Sequence, residues 1–203
     1  KDFAPRPIEC DNNFLSSSTA HIKRAVEKLK TQHLVDFNSG FDVRFFTKEK
    51  AVLLTDLKNM VVRFAFDQMN QEKHLERSLK IVKELGLKKH AADIPVYVLY
   101  GYKDTPEEAL YRVRRVLKLG MNPYPMRYQP LDSLVKDEYV NTEKGWTEHE
   151  LKRFRYYWTY GRRLKMYTNK PTANNPKQEL IPYEEFHLGK RFTEFSSGSL
   201  NII

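Results

Sequence analysis

The feature that most constrains this chain is a rhythm. From residue 8 to residue 130, short apolar runs rich in β-branched and aromatic residues alternate with amphipathic helical patterns. The runs fall near Ile8–Cys10, Val43–Phe46, Val61–Phe66, Val96–Tyr100 and Tyr124–Tyr128. Between them, Ile22, Val26 and Leu29 share one helical face, as do Ala51, Leu54 and Leu57. Leu75, Leu79 and Val82, then Leu110, Val113 and Leu117, repeat the spacing. Alternation of this kind predicts parallel strand–helix–strand units with right-handed crossovers. Five strands leave three architectures open: a doubly wound sheet, a partial barrel, or a fragment of a barrel whose complete form takes ~250 residues.

The helix boundaries are written in the sequence. Thr105-Pro106-Glu107-Glu108 reads as a capping box with proline at the first helical position. Gly86 and Gly120 close the helices that precede them. A further helix starts at Thr147, with Glu150 three residues on and Trp146 placed to staple onto Leu151. Beyond about Asp132 the alternation stops. A basic-aromatic helix follows, then an Asn/Pro/Thr-rich loop at Thr168–Lys177 and a serine-rich tail after Gly189.

Composition removes several classes. At 40% hydrophobic and 13% aromatic, 203 residues can build a core, so global disorder is excluded. No apolar run is long enough for a membrane helix, and no membrane partner is expected. The one cysteine, Cys10, forms no internal disulfide, Cys-only zinc site or iron–sulfur cluster. A reducing, cytoplasmic setting is the expectation. Lys1 is neither a methionine nor part of a signal peptide, so the chain is expected to begin partway through a longer protein. The net charge of +9 favours anionic partners such as nucleotides or nucleic acid, or else marks a solvated basic surface. The six histidines form no His-x-x-x-His pair, no Gly-x-Ser-x-Gly elbow is present, and no P-loop follows any strand.

Ligands of parallel α/β sheets sit at the carboxyl ends of the strands. Those positions are polar here: Asp11 to Asn13, then Asp36, Asn38, Gly40, Asp42 and Arg44, then Asp67 and Gln68, then Gly101 to Thr105, then Arg127, Tyr128 and Gln129. Loops are polar in any case, so each residue alone is a weak signal. Gly101 alone is most often a turn glycine.

Taken in order, these stretches carry a resemblance. Asp11-Asn12-Asn13-Phe14-Leu15 and Val35-Asp36-Phe37-Asn38-Ser39-Gly40-Phe41-Asp42-Val43-Arg44 resemble the middle of a radical S-adenosylmethionine (radical SAM) domain. Val62 to Asp67, Val96 to Glu108 and Tyr124 to Asp132 continue the likeness, which covers about residues 8 to 160 and is nearest to iron–sulfur oxidoreductases of that family. The family's Cys-x₃-Cys-x₂-Cys loop, which holds its [4Fe–4S] cluster, is absent from this chain. The resemblance implies a partial (β/α) barrel of about five parallel units over residues 1–132, with a carboxyl-terminal helical and irregular extension over 133–203. It implies a portion of an enzyme that binds S-adenosylmethionine and shapes a substrate pocket. The cluster would be held upstream, or lost in a degenerate homologue, and no metal would be ligated by this chain.

By the same resemblance, Arg44 pairs with the cofactor carboxylate, Asp67 accepts from ribose hydroxyls, and the main chain around Leu99, Gly101 and Tyr102 holds adenine. Asp11, Asn13, Asn38, Arg127 and Gln129 line the pocket of an unidentified substrate. The alternatives from the residues alone are a salt bridge of Arg44 to Asp42 or Asp36, a helix N-terminal contact for Asp67, and simple packing for Tyr102. A second reading of the whole chain is a cluster-less α/β domain that binds a nucleotide or nucleic acid. Its surface would be Arg153, Arg155, Arg162 and Arg163 among the aromatics of residues 151–170. Leu151, Phe154 and Trp158 share a helical face there and are expected in the core.

Overall fold

The computed structural model describes residues 5–10, 13–161 and 182–186. It is an α/β chain with parallel sheets and divides into two compact units. One holds the residues up to Leu99 together with Glu107–Tyr124; the other holds Tyr100–Pro106 and the described residues from Pro125 onward. The expected division at residue 132 falls inside the second unit.

The strands are β1 (Ile8–Glu9), β2 (Val35–Phe37), β3 (Phe41–Asp42), β4 (Met60–Val61), β5 (Phe64–Ala65), β6 (Pro95–Tyr100) and β7 (Asn122–Arg127). They form one sheet in the order β1-β2-β4 and another in the order β3-β5-β6-β7. β2 and β3 are successive pieces of one path, separated by Asn38-Ser39-Gly40. The register offset falls from 25 (Val35 opposite Met60) to 23 (Phe41 opposite Phe64), so those three residues bulge out the excess. Gly40 makes the bulge possible. Its φ is +76°, and a Cβ there would lie 3.1 Å from the Tyr97 ring.

The pairs of known register are all parallel. β6 and β7 run the same way, because Asn122 N donates to Ile94 O and Tyr128 N to Tyr100 O at the same offset of 28. Order along the chain is therefore order across the sheets, with no reversal. The connections pass through α1 (Thr19–Leu29), α2 (Lys48–Leu54), α3 (Glu72–Glu84) and α4 (Pro106–Lys118). Ser18 caps α1 and Thr47 caps α2 through side-chain oxygens. α1 packs beside α2, and α2 beside α3.

The period-2 alternation of the strands sorts side chains cleanly. Val35, Phe37, Phe41, Val62, Phe64, Phe66, Val96 and Val98 are buried, while Asp36, Val61, Arg63, Ala65, Tyr97 and Leu99, which alternate with them, remain partly exposed. A chain of phenylalanines knits the first core: Phe14 to Phe37 at 5.2 Å, Phe37 to Phe41 at 4.7 Å, and Phe46 edge-on to Phe64 at 4.9 Å.

The second expected strand is displaced. The path runs over Val35–Asp42, and Val43 and Phe46 are buried in the turn that leads into α2. The apolar run at Val43 marks a core contact, not an extended segment: pairing ends at Asp42, and Phe45 N donates to Asp42 O in the turn that follows. β7 carries Pro123 and Pro125, which a sheet tolerates where no ladder amide is required.

The second unit is built on aromatic packing. α5 (Glu148–Arg155), capped by Thr147, continues into a π-helical turn at Tyr156–Gly161. Leu151, Phe154 and Trp158 are buried, as expected for that face, and Tyr157 is buried with them. The Tyr100 ring lies 4.7 Å from Phe154, and Trp146 Nε1 donates to Asp104 O at 2.7 Å. The expected loop at Thr168–Lys177 and the serine-rich tail lie outside the described residues.

Candidate functional site

The partly exposed side of the first unit's sheets is a polar surface with two zones. One crosses β2, the β4–β5 path and β6. Arg63 forks onto Asp36, with Nε–Oδ1 at 2.9 Å and Nη2–Oδ2 at 2.6 Å, and the Tyr97 hydroxyl donates to Asn38 O at 3.0 Å. Burial pushes the Tyr97 phenol up from its ordinary value, and the nearby Arg63 cation works against that shift. Tyr124 meets the Tyr97 ring edge-on at 5.7 Å.

The other zone lies at the carboxyl ends of the strands. Asp42 and Arg44 pair at 2.6 Å, which raises the Arg44 guanidinium; the more distant Asp67 adds to the same effect. Desolvation opposes ionisation of Asp42, yet its hydrogen bonds from Arg44 leave it below its ordinary value. Asp67 Oδ1 accepts from Leu99 N at 3.1 Å, while the amides of Asp67 and Gln68 both donate to Gln71 Oε1. Beneath them Arg112 of α4, fully buried, donates Nη1 to Phe66 O at 3.0 Å and to Leu99 O at 2.8 Å. One guanidinium thus fixes the ends of β5 and β6 and the base on which Asp67 stands.

Of the residues singled out from the sequence, Arg44, Asp67 and Leu99 come to one end of the first unit's sheet. Arg44 also makes the pair with Asp42 that its residue type alone allowed. Asn38 contributes its carbonyl to Tyr97, and Asn13 precedes the 3₁₀ turn Phe14–Ser16, its carbonyl accepting from Ser16. Asp11 lies outside the described residues.

Gly101, Tyr102, Arg127, Gln129, Arg153 and Arg155 belong to the second unit. Gly101 has a φ of +81°, and a Cβ would lie 2.7 Å from Leu151 Cδ2, so packing as well as backbone conformation demands glycine. Tyr102 N donates to Asp104 Oδ1 at 3.0 Å, Tyr102 O accepts from Asn141 Nδ2, and the ring stacks on Tyr128 at 4.2 Å. With Leu99 N and O also engaged, much of the main chain expected to hold adenine already has partners inside the protein.

Arg127 and Gln129 bind the loop that follows β7. Arg127 Nη2 donates to Asp137 O at 2.6 Å and Tyr139 O at 2.9 Å, and Gln129 Nε2 donates to Val135 O at 3.2 Å. Arg153 lies over the Tyr183 ring at 4.2 Å and donates to Phe186 O and Tyr183 O, both at 2.6 Å. Arg155 Nη1 donates to Asp137 Oδ2 at 2.8 Å. Arg162 and Arg163 lie outside the described residues.

Sequence reasoning missed the Asp36–Arg63–Tyr97 network, the anchor Arg112 and the carboxylate Asp137. The first had a signal: Arg63 is the one charge in the apolar run Val61–Phe66, at a position facing away from the buried side. Arg112 had none, because a buried arginine on an amphipathic helix reads as part of the polar face.

No group of three or more His, Cys, Asp or Glu that could hold a metal occurs among the described residues. No helix among them is long and apolar enough to cross a membrane. The fold and surface define a parallel α/β chain with polar strand ends. Compared with known proteins, it matches no family model, and a search of curated proteins finds no match.

Proposed function

We propose that this chain is a segment of a radical SAM enzyme, a partial (β/α) barrel whose strand ends hold S-adenosylmethionine and shape a substrate pocket. The observation that carries the reading is the strand order. A doubly wound sheet reverses its order at a switch point, and its ligand sits there. Here successive parallel strands neighbour one another without reversal. That is the order of a barrel wall, which places its ligands at the carboxyl ends.

The donor set at those ends fits the carboxylate and the ribose hydroxyls of such a cofactor in kind. Arg44 is a guanidinium whose side chain is more than half exposed, suited to a carboxylate. Asp67 offers a carboxylate to hydroxyl groups. Arg112 fixes the strand ends that carry them. The residues do not fit a [4Fe–4S] cluster, since Cys10 is the only thiolate source. In this reading the cluster's ligands come from outside these 203 residues. With the cluster, such a cofactor supplies hydrogen abstraction; the residues here bind, orient and exclude water.

The nucleic-acid reading draws less support. Arg153 and Arg155, two of its four arginines, are held in contacts within the second unit.

The test is an amide NMR titration of this chain with S-adenosylmethionine. Binding without the cluster is expected to be weak, with a dissociation constant of about 1 mM or above, equivalent to roughly 4 kcal/mol. The shifts are expected at Arg44, Asp67 and their neighbours, and to vanish in Arg44→Ala. Shifts confined to other surfaces, or unchanged in that variant, would count against the reading.

A further inference from the structure

The strand paths of the first unit are each entered past a basic residue. Arg6 precedes β1, His33 precedes β2, Lys58 precedes β4, Lys88 and Lys89 precede β6, and Lys118 ends α4 just before β7. The registers bring these entries to one level. Ile8 stands opposite Asp36, and Val35 opposite Met60. Phe64 stands opposite Val96, so Met60, four residues earlier on its path, is level with Ala92. Contacts join the loops at that level. Asn59 Nδ2 donates to His33 O at 3.0 Å, and a Cβ on Gly120 would lie 3.7 Å from the Ala91 Cβ. Neighbouring strands lie about 4.8 Å apart, so the entries form a row roughly 20 Å long at the amino ends of the strands.

The row carries an excess of positive charge. Residues 5–7, 30–34, 55–59, 85–94 and 118–121 hold Arg6, Lys30, Lys58, Lys88, Lys89 and Lys118 against two carboxylates, Asp56 and Asp93. Lys30 holds Asp56 at 2.8 Å and Glu27 at 2.7 Å. Glu84, at the end of α3, is taken by Lys48 and Lys80. The other five cations make no ion pair or side-chain hydrogen bond among the described residues, and all but Lys88 are exposed. Asp93 is the one carboxylate of these stretches without a cation, so five uncommitted cations stand against a single anion.

We propose that this row binds the phosphate backbone of a nucleic acid without reading its sequence. One strand of a duplex carries a charge per about 3.4 Å of axis, which sets about six phosphates along the row. Lysine supplies flexible point charges that suit phosphate oxygens. A protein partner fits less well. Interfaces between proteins are depleted in lysine and enriched in aromatic residues, and these stretches contain no Phe, Tyr or Trp. For the same reason bases find no ring to stack on, which leaves contact to the backbone. The row lies at the opposite end of the strands from Arg44 and Asp67. It uses none of the arginines of residues 151–170 and does not rest on the radical SAM reading.

The test is fluorescence anisotropy of the full chain with a labelled duplex of about 20 base pairs, across a salt series. A dissociation constant of about 1–100 µM is expected at physiological salt, weakening steeply as salt rises. An unrelated duplex is expected to bind equally well. Lys58→Glu combined with Lys89→Glu is expected to weaken binding at least tenfold and to flatten the salt slope by about 2. Both side chains are exposed and unpaired, so the fold is expected to be kept, and a circular dichroism melt checks it. Lys23→Glu combined with Arg24→Glu makes the same change in net charge at exposed positions of α1 and is expected to weaken binding less than threefold. No binding, a tenfold preference between the duplexes, equal losses in the two double variants, or no loss in the Lys58 and Lys89 variant would overturn the proposal. So would poly-L-glutamate displacing the labelled duplex as well as unlabelled duplex does at equal charge, which would mark the row as a surface for acidic protein segments.

Discussion

Arg63 and Asp36 are locked fork to fork across neighbouring strand paths, each side chain only 21% exposed. Parallel strands hold them at fixed separation, so little side-chain entropy is lost in keeping this geometry. Removing either partner leaves the other partly buried and without its counter-charge. Asp36→Asn and Arg63→Gln are each expected to lower unfolding stability by about 1–3 kcal/mol. The double variant should lose clearly less than the sum. Urea unfolding of all four proteins measures the coupling, and additivity within about 0.5 kcal/mol would show that the pair is incidental.

Arg112 makes the stronger prediction. Its guanidinium is fully buried and joins two strand ends through Phe66 O and Leu99 O. Arg112→Met keeps much of the stem but strips the donors from two carbonyls. A loss of about 3–5 kcal/mol is expected. Hydrogen exchange at Leu99, whose amide is held by Asp67, should accelerate by more than at the amides of α1. A near-neutral substitution would mean that the carbonyls find other donors.

How much of this was legible in the sequence depends on the range of the interaction. Thr147 as a cap for Glu150, Gly86 and Gly120 as helix ends, and the buried face of Leu151, Phe154 and Trp158 are local, and they are as expected. The strand at Val35–Asp42 was misplaced because Gly40 looks like a terminator, whereas its positive φ lets the path bulge and continue. Arg44 and Asp67 stand out in the sequence through the family resemblance, and the structure has each two residues beyond a strand, β3 and β5. Asp137 does not, because its meaning depends on Arg127 and Arg155, ten and eighteen residues away, meeting over a loop that has no periodicity.

Acid should weaken the Asp42–Arg44 pair in a defined direction. The Asp42 carboxyl is held below its ordinary value of 3.8, desolvation opposing and Arg44 hydrogen bonds prevailing. A depressed carboxyl contributes stability that is fully present above its unfolded value and is lost as pH falls through the lower folded value. The stability difference between the native protein and Asp42→Asn is therefore expected to be constant near neutrality and to shrink below about pH 5. Arg44 is more than half exposed, so the difference is small and salt-sensitive. Urea midpoints from pH 7 to pH 3 read it; parallel curves would exclude the pair as their source.

Iron gives a test of the cofactor reading. Cys10 is exposed and is the single thiol of the chain. Anaerobic reconstitution with iron and sulfide is expected to leave the chain colourless, and Cys10→Ala should behave identically. A stable brown product with about four irons per chain would require a ligand set that thiolate chemistry does not provide here.

Gly101 separates packing from ligand binding. Its φ of +81° and the 2.7 Å approach of Leu151 Cδ2 are two independent reasons for glycine. Gly86, with a φ of +63° and open space around it, has only the first. Gly86→Ala is therefore expected to cost about 1 kcal/mol, the backbone penalty alone. Gly101→Ala should cost about 2–4 kcal/mol, because a core clash is added to that penalty. Leu151→Ala removes the clashing methyl and itself costs about 2–5 kcal/mol as a cavity. If the close contact is the cause, the double variant is more stable than the sum predicts by about 1–2 kcal/mol, while the backbone penalty persists. Strict additivity, with Gly101→Ala no worse than Gly86→Ala, would leave the backbone alone as the reason for this glycine. If Gly101→Ala then also shifted S-adenosylmethionine binding, its place would be in a ligand turn and not under α5.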